Sequence, residues 1–459
     1  MKIKRLTALA AAALMVCAAA GCGTKDTGSG GTTGKVSTDA VPEAKYNGKE
    51  NPYAKLDLKG ESIRIAAPWE IKPEDEGSST AATLQWERIK YLEKKYNCKF
   101  EWNISGDTDK LTSSVAAGAP YADFLCVYTS TIPSLAVNGY LQNMDSIKSV
   151  DLNESKWNSG NVSMGAFNNG HYSFAIGKSV PRYVIAFNKT MFEKNGWESP
   201  YELYKKDNWT WDKMLEIATK ATDKTAGRYG LGGMELLSDS IRASYGGSFV
   251  TVDGSGVPKF TGDSAECQQA VQLVRDIGSK YDICWTPETF TWQSPVLALS
   301  EGKVAMAATQ LYLIRENILD MEDDYGLVPV PKGSNAKGRY ASVSGDVPTY
   351  VMPANNPLAQ EKAYILDLFT EPYPGYEDII SRAELETYCR DEDSVDIMLD
   401  VEKKYNLFEM GIWFTKAGNL YGEAISSVTS GKATFAEAMG KSKAQIEQSI
   451  ADVYASWSK

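Results

Sequence analysis

Between residues 60 and 130 the apolar positions switch repeatedly between a period of two and a period near 3.6. From Ser62 to Ala67 the run Ser-Ile-Arg-Ile-Ala-Ala alternates and predicts a short strand. From Ala81 to Tyr96, Leu84, Ile89, Leu92 and Tyr96 recur near helical spacing. Lys99 to Ile104 is strand-like again, and Leu111 to Ala117 reads as a helix that stops at Gly118-Ala119-Pro120. Asp123 to Tyr128 is nearly all apolar, the pattern of a strand covered on both faces. Strands alternating with helices predict α/β layers around a largely parallel sheet.

A second region repeats the theme. Tyr183 to Asn188 reads as a strand, Trp211 to Thr222 and Glu266 to Lys280 as helices, and Val304 to Thr309 and Tyr325 to Val330 as strands. The last part is helical, with Leu358 to Thr370 and Thr434 to Trp457 as its clearest segments. Pro329 and Pro331 bracket an expected crossing between two lobes. The chain is too long for one hydrophobic core, so two lobes are expected, and no short internal repeat points to a solenoid or propeller.

The first 22 residues change the picture. Lys2, Lys4 and Arg5 precede an apolar run from Leu6 to Val16, and Ala19-Ala20-Gly21 lead into Cys22. That order is the pattern of a secretory leader, and the run is too short to stay in a bilayer as a helix. Ala-Ala-Gly-Cys also resembles the bacterial lipobox. The resemblance implies acylation of Cys22, and two acyl chains hold a protein at a membrane where one does not. Residues 23–50 are rich in Gly, Ser and Thr and read as a flexible tether. No later stretch approaches 18 unbroken apolar residues.

Charge and chemistry remove several classes of function. The full sequence carries a formal charge of −11, and loss of the leader makes it three charges more negative. Binding to a phosphate backbone needs clustered cations, so nucleic acid is not an expected partner. The five cysteines beyond the leader, Cys98, Cys126, Cys267, Cys284 and Cys389, show no CxxC or zinc-like spacing; pairing of Cys267 with Cys284 stays open. His171 is the one histidine, which argues against a metal site. No nucleophile elbow, phosphate loop or glycosidase carboxylate pair is recognisable, and Gly230-Leu231-Gly232-Gly233 is too loose for a dinucleotide fingerprint. No enzyme activity, catalytic residue, metal or cofactor is expected.

Five segments, in order, resemble bacterial extracellular solute-binding proteins of family 1, which include the maltodextrin-binding proteins. They are Ala117-Gly118-Ala119-Pro120-Tyr121-Ala122-Asp123 with Leu135 to Leu141; Val180 to Gly196, containing Phe187-Asn188-Lys189 and Met191-Phe192; Asn208-Trp209-Thr210-Trp211-Asp212; Leu299 to Met306, containing Gly302-Lys303-Val304-Ala305-Met306; and Val328 to Gly333 followed by Val343-Ser344-Gly345-Asp346. The resemblance covers most of residues 60–455. It implies a two-lobed, periplasmic-binding-protein-like α/β fold of type II with a ligand cleft between discontinuous lobes. The first lobe is expected at 60–180 with 332–390, and the second at 181–331 with 391–459. It further implies a monomeric binding lipoprotein on the outer face of the cytoplasmic membrane, delivering a carbohydrate, an oligosaccharide, to the permease subunits of an ABC transporter.

A sugar offers a rim of hydroxyls and weakly apolar faces, so its site needs aromatic platforms and aimed polar groups. A buried polar group left unpaired costs about 1–3 kcal/mol, which is how the wrong sugar is rejected. Carried over by position, the resemblance places ligand contacts at Trp69 and Glu70 after the first strand, at Tyr128, Thr129 and Ser130 after the Asp123 strand, and at Tyr312, Tyr245, Gly345 and Asp346. Tyr312 stands where the family often has Trp, but the usual Gly-x-Trp is absent. Arg182 offers a planar fork of donors near the first crossing. Trp285, Trp292 and Trp413 are further cleft candidates without motif support. Trp209 and Trp211 flank a helix start and read as packing residues, and Asp123 as a turn or cap residue. The same architecture also binds polyamines and peptides, or reports to a membrane sensor, so fold alone leaves the ligand open.

Overall fold

The computed structural model describes residues 51–157, 159–167, 170–175, 181–252, 257–344, 348–408 and 410–457. Cys22, Gly345 and Asp346 lie outside them.

The first lobe is built on a four-stranded sheet ordered β14-β3-β1-β2. Here β1 is Ser62–Ala67, β2 Lys99–Ile104, β3 Phe124–Tyr128 and β14 Pro348–Val351. β1 runs parallel to both β2 and β3, and β14 is antiparallel to β3. Parallel neighbours need crossover helices, and Thr80–Tyr96 and Thr108–Ala116 supply them. The side chains of Ser79 and Asp107 cap their N-termini by accepting from Ala82 N and Lys110 N. β3 is buried along Phe124–Val127 because helices cover both sheet faces. A small hairpin of β4 (Ala166–Phe167) and β5 (Gly170–His171) follows.

The second lobe carries five strands ordered β10-β7-β11-β6-β12. They are β6 Tyr183–Asn188, β7 Tyr229–Gly232, β10 Cys284–Trp285, β11 Val304–Gln310 and β12 Tyr325–Val328. β7, β10 and β11 are mutually parallel, while β6 runs antiparallel to β11 and β12. Asn188 caps the helix after β6 by accepting from Met191 N at 2.8 Å, and Gly196 ends that helix at φ 64°, where a side chain would be strained. Trp209 and Trp211 are fully buried and donate their indole N–H groups to Pro329 O and Ser244 Oγ, which makes them packing residues.

The chain enters the second lobe between Ala175 and Pro181, returns between Ser344 and Pro348, and leaves β15 (Asn406–Phe408) for the C-terminal helices after Phe408. β15 pairs with β13 (Ser342–Ser344), beside β6. These limits differ from the expected ones. After Pro331 the chain stays on the second lobe, where Tyr340 joins the core and Lys332 N–H donates to Trp209 O. Helices Glu377–Glu386 and Glu392–Tyr405 also bury Leu385, Val395, Met398 and Val401 in the second-lobe core. The prolines end β12 without turning the chain across, because Trp209 and Trp211 hold the following loop down.

Helices Thr415–Thr429 and Phe435–Ser456 form an antiparallel pair. They pack on the helix Ala265–Asp276 and on the hairpin of β8 (Val250–Val252) and β9 (Pro258–Phe260), with Tyr421 Oη donating to Gly262 O. The same apolar cluster takes Leu125, Val127 and Ile132 from the first lobe, so it draws on both lobes. Cys98, Cys126, Cys267, Cys284 and Cys389 are all free thiols, so Cys267 and Cys284 do not pair.

Candidate functional site

In open α/β sheets the ligand side is the edge at the carboxyl ends of the strands, where connections that leave in opposite directions open a crevice. In the first lobe β1 runs out into Trp69 and Glu70, and β3 into Tyr128, Thr129 and Ser130. In the second lobe β11 runs out through Gln310 to Tyr312. The antiparallel register of Gln310 with Tyr183 brings the start of β6, and so Arg182, to the same edge.

These edges carry exposed aromatic rings. Trp69 is 42 %, Tyr128 47 % and Tyr312 43 % exposed, in a chain whose other large rings are mostly buried. The Tyr312 hydroxyl lies within electrostatic reach of Glu316, Arg182, Tyr183 and, from the first lobe, Tyr128. Burial and then the Glu316 carboxylate raise its pKa above the ordinary phenol value, and Arg182 opposes them. The Arg182 guanidinium sits 6.0 Å from the Tyr183 ring centroid, and Gln310 Nε2 donates to the Tyr183 hydroxyl at 3.4 Å. Arg182, Tyr183, Gln310 and Tyr312 therefore share one edge of the second lobe, and Tyr128 of the first lobe lies within electrostatic reach of Tyr312.

Thr129 is buried, and its carbonyl accepts from Trp413 Nε1 at 3.2 Å. Trp413 thus stands against the strand end of the first lobe as a buried wall. Ser130 is half-buried, and Glu70 is exposed with its carboxylate accepting from Lys72 N at 2.9 Å. Tyr245, expected at the ligand, sits instead in the second-lobe core at 6 % exposure. The helix Ser238–Ser244 ends at it, Gly333 lies against its ring, and Ser334 holds its hydroxyl.

Tyr183 and Gln310 were not singled out in the sequence. The strand pattern around 183 and 304–309 located their elements, but only the pairing of β6 with β11 brings them to Tyr312. Asp123 is a structural residue: its carboxylate accepts from Arg64 and Lys362 and is fully buried.

Two other features have the wrong chemistry for a sugar. A hollow of about 610 Å³ on the second lobe is lined by Asp207, Thr210, Asp212, Lys332 and Asn335 among others, with no aromatic ring and none of the candidate residues. The carboxylates of Glu154, Asp367 and Glu371 lie close enough together to hold a cation. The Lys156 ammonium occupies that position, 3.2 Å from Glu154, 2.7 Å from Asp367 and also paired with Glu371.

Comparison with known proteins fits this geometry. Residues 74–364 match the family model described as bacterial extracellular solute-binding protein. No curated protein matches. The fold is similar to an ABC substrate-binding protein of Listeria monocytogenes in complex with cycloalternan, at TM-score 0.58 and 17 % identity, covering 85 % of this chain and 99 % of that one. It is similar to a cyclo/maltodextrin-binding protein complexed with maltotetraose, at TM-score 0.58 and 14 % identity, over 86 % and 96 % of the two chains. It is also similar to UgpB from Mycobacterium tuberculosis in complex with glycerophosphocholine, at TM-score 0.54 and 15 % identity, over 85 % and 98 %. These likenesses are those of the two-lobed, type II periplasmic-binding-protein fold, and with the family match over most of the folded body they show that this chain belongs to the bacterial extracellular solute-binding proteins.

Proposed function

We propose that this protein captures a carbohydrate, an oligosaccharide, between its two lobes and presents it to the permease of an ABC importer. The observation that carries the reading is the set of exposed rings at the strand ends of both lobes, Trp69 and Tyr128 on one and Tyr312 on the other, with Tyr128 within electrostatic reach of Tyr312. Such rings supply flat apolar faces for sugar C–H groups. Arg182, Gln310 and Glu70 supply the donors and acceptors that read hydroxyls. Two of the similar structures hold cycloalternan and maltotetraose, while a third holds glycerophosphocholine, so the fold also serves other solutes.

A polyamine on Tyr312 would meet the Arg182 guanidinium and the Glu316 carboxylate together, so the charges nearest this ring offset each other and the aromatic faces carry the preference for a sugar. Binding works by closure of the lobes about the crossings, with the closed form recognised by the permease. The protein acts as a monomer, and Cys22 with its acyl chains holds it at the outer face of the membrane. The positively charged start, apolar run and Ala-Ala-Gly-Cys sequence support that anchor.

A thermal-shift screen of residues 23–459 against mono- and oligosaccharides, with spermidine and short peptides as controls, tests the reading. A ligand at about 100 times its Kd adds about 2.7 kcal/mol to stability and raises the melting temperature. One sugar class is expected to shift the protein, and Tyr312→Ala to abolish the shift. A response confined to spermidine or peptides refutes the carbohydrate reading.

A further inference from the structure

The turn that follows β3 carries the exposed Tyr128 ring at its head, and its backbone is held from two directions. Locally, Thr131 Oγ1 donates to Tyr128 O at 2.8 Å, and Ile132 N–H donates to Thr129 O to close a single 3₁₀ turn over Thr129–Thr131. The sheet contributes little at this point. β14 meets Tyr128 through Pro348, which has no N–H to donate, and the pairing of β1 with β3 ends earlier, at Ala66 and Leu125.

The second hold comes from far along the chain. Trp413 Nε1 donates to Thr129 O at 3.2 Å across 284 positions. A carbonyl oxygen has two lone pairs, so the bonds from Ile132 and Trp413 occupy it together. Trp413 is 7 % exposed, and a buried indole N–H needs such an acceptor.

The Trp413 ring is itself fixed. It packs edge-to-face on Trp457 at 5.5 Å between centroids, and Phe414 and Tyr454 close on the same Trp457 ring at 5.7 and 5.8 Å. All four side chains belong to or pack on the apolar cluster that the C-terminal helices share with Leu125, Val127 and Ile132 of the first lobe. The donor is therefore aimed, from a packed aromatic group, at the residue next to Tyr128.

We propose that Trp413 is a positioning residue: its indole N–H pins the Thr129 turn and so presents the Tyr128 ring to the cleft. The C-terminal helices thereby shape the first-lobe platform without touching ligand. The inference rests on the reading of Tyr128 as a ligand platform above and deepens it. A ring whose backbone is held beforehand loses less freedom when a ligand arrives.

Two substitutions separate this role from packing. Trp413→Phe keeps a ring in the cluster and takes away the N–H. Trp457→Phe trims the same cluster and leaves the N–H on Thr129 O. Both are compared with the unsubstituted protein, residues 23–459, well below their unfolding transitions. The first readout is fluorine NMR, without ligand, of protein carrying 3-fluorotyrosine at position 128 alone. Trp413→Phe is expected to shift or broaden that resonance, and Trp457→Phe to leave it in place. An unmoved resonance in Trp413→Phe, or the same change in both variants, overturns the positioning role whatever the ligand is.

The second readout is calorimetric titration with four-unit α-gluco-, β-gluco-, xylo- and manno-oligosaccharides. Trp413→Phe is expected to weaken the sugar that binds by about five-fold, the size of one hydrogen bond, and to have no further effect once Tyr128 is replaced by Ala. A loss that persists undiminished in the Tyr128→Ala background overturns the proposal. Binding of none of the four by the unsubstituted protein counts against the carbohydrate reading, and the resonance alone then decides the positioning role.

Discussion

Asp123→Ala is the most informative single perturbation of the scaffold. The carboxylate is fully buried and accepts from Arg64 N at 2.7 Å, Arg64 Nε at 3.1 Å, an Arg64 terminal nitrogen at 3.0 Å and Lys362 Nζ at 2.8 Å. It ties β1 and β3 to the helix Ala359–Phe369. Its hydrogen bonds hold the Arg64 guanidinium pKa above its ordinary value. The Lys362 side chain is 3 % exposed, and Asp123 is its ion-pair partner. Removal of Asp123 leaves that ammonium buried without compensation, a loss of about 3–5 kcal/mol. Arg64, more open to water, contributes less to the cost.

Lys362→Met removes one charge-assisted bond and leaves Asp123 with Arg64, for about 1.5–3 kcal/mol. The double variant no longer strands a charge in the interior and is expected to be more stable than Asp123→Ala alone. Urea unfolding followed by tryptophan fluorescence reads the effect, since Trp102 and Trp157 pack in the first-lobe core. A loss below about 1 kcal/mol for Asp123→Ala, or a double variant no more stable than that single one, refutes the reasoning.

Two further outcomes follow from buried groups. Burial pushes the Asp367 carboxyl up from 3.8 to about 6, with Lys156 opposing. A folded-state pKa above the unfolded one means that this group favours the folded state most in acid, and that the contribution is lost as pH rises through about 6. Asp367→Asn therefore gains melting temperature relative to the parent as pH goes from 4 to 7, and a constant offset across that range counts against the assignment. Gly230→Ala would place a methyl carbon 2.2 Å from Ala218 O, a backbone atom that cannot swing aside, and is expected to cost about 1–3 kcal/mol in urea unfolding; an unchanged midpoint contradicts that close approach.

Much of the fold was legible because local pattern and tertiary environment agree. The strands at 62–67, 99–104, 183–188 and 304–310 lie where alternation or apolar runs place them. The helices expected from Trp211 and near Thr434 form as well, capped by the side chains of Thr210 and Thr434, the second through a full capping box with Glu437. Short strands such as β10 and β14 escaped notice because a few residues hold too little periodicity to distinguish them from loop. The expected crossing at Pro329 and Pro331 went astray for a related reason: a proline marks the end of an element, but the direction taken next depends on what packs against it, here Trp209 and Trp211.

Sequence by itself determined the alternation of strand and helix, the need for two cores, and the residue types at the ends of the parallel strands, since each depends on neighbours close in the chain. Tertiary structure decided which of those ends meet. Tyr128 comes near Tyr312 only because separate lobes face each other, and Tyr183 reaches Gln310 only through the antiparallel pairing of β6 with β11. Tyr245 shows the converse, for its aromatic character suited a ligand platform until the 332–338 loop closed over it. Contacts between residues more than a hundred positions apart depend on how whole elements pack, and no local spacing encodes that.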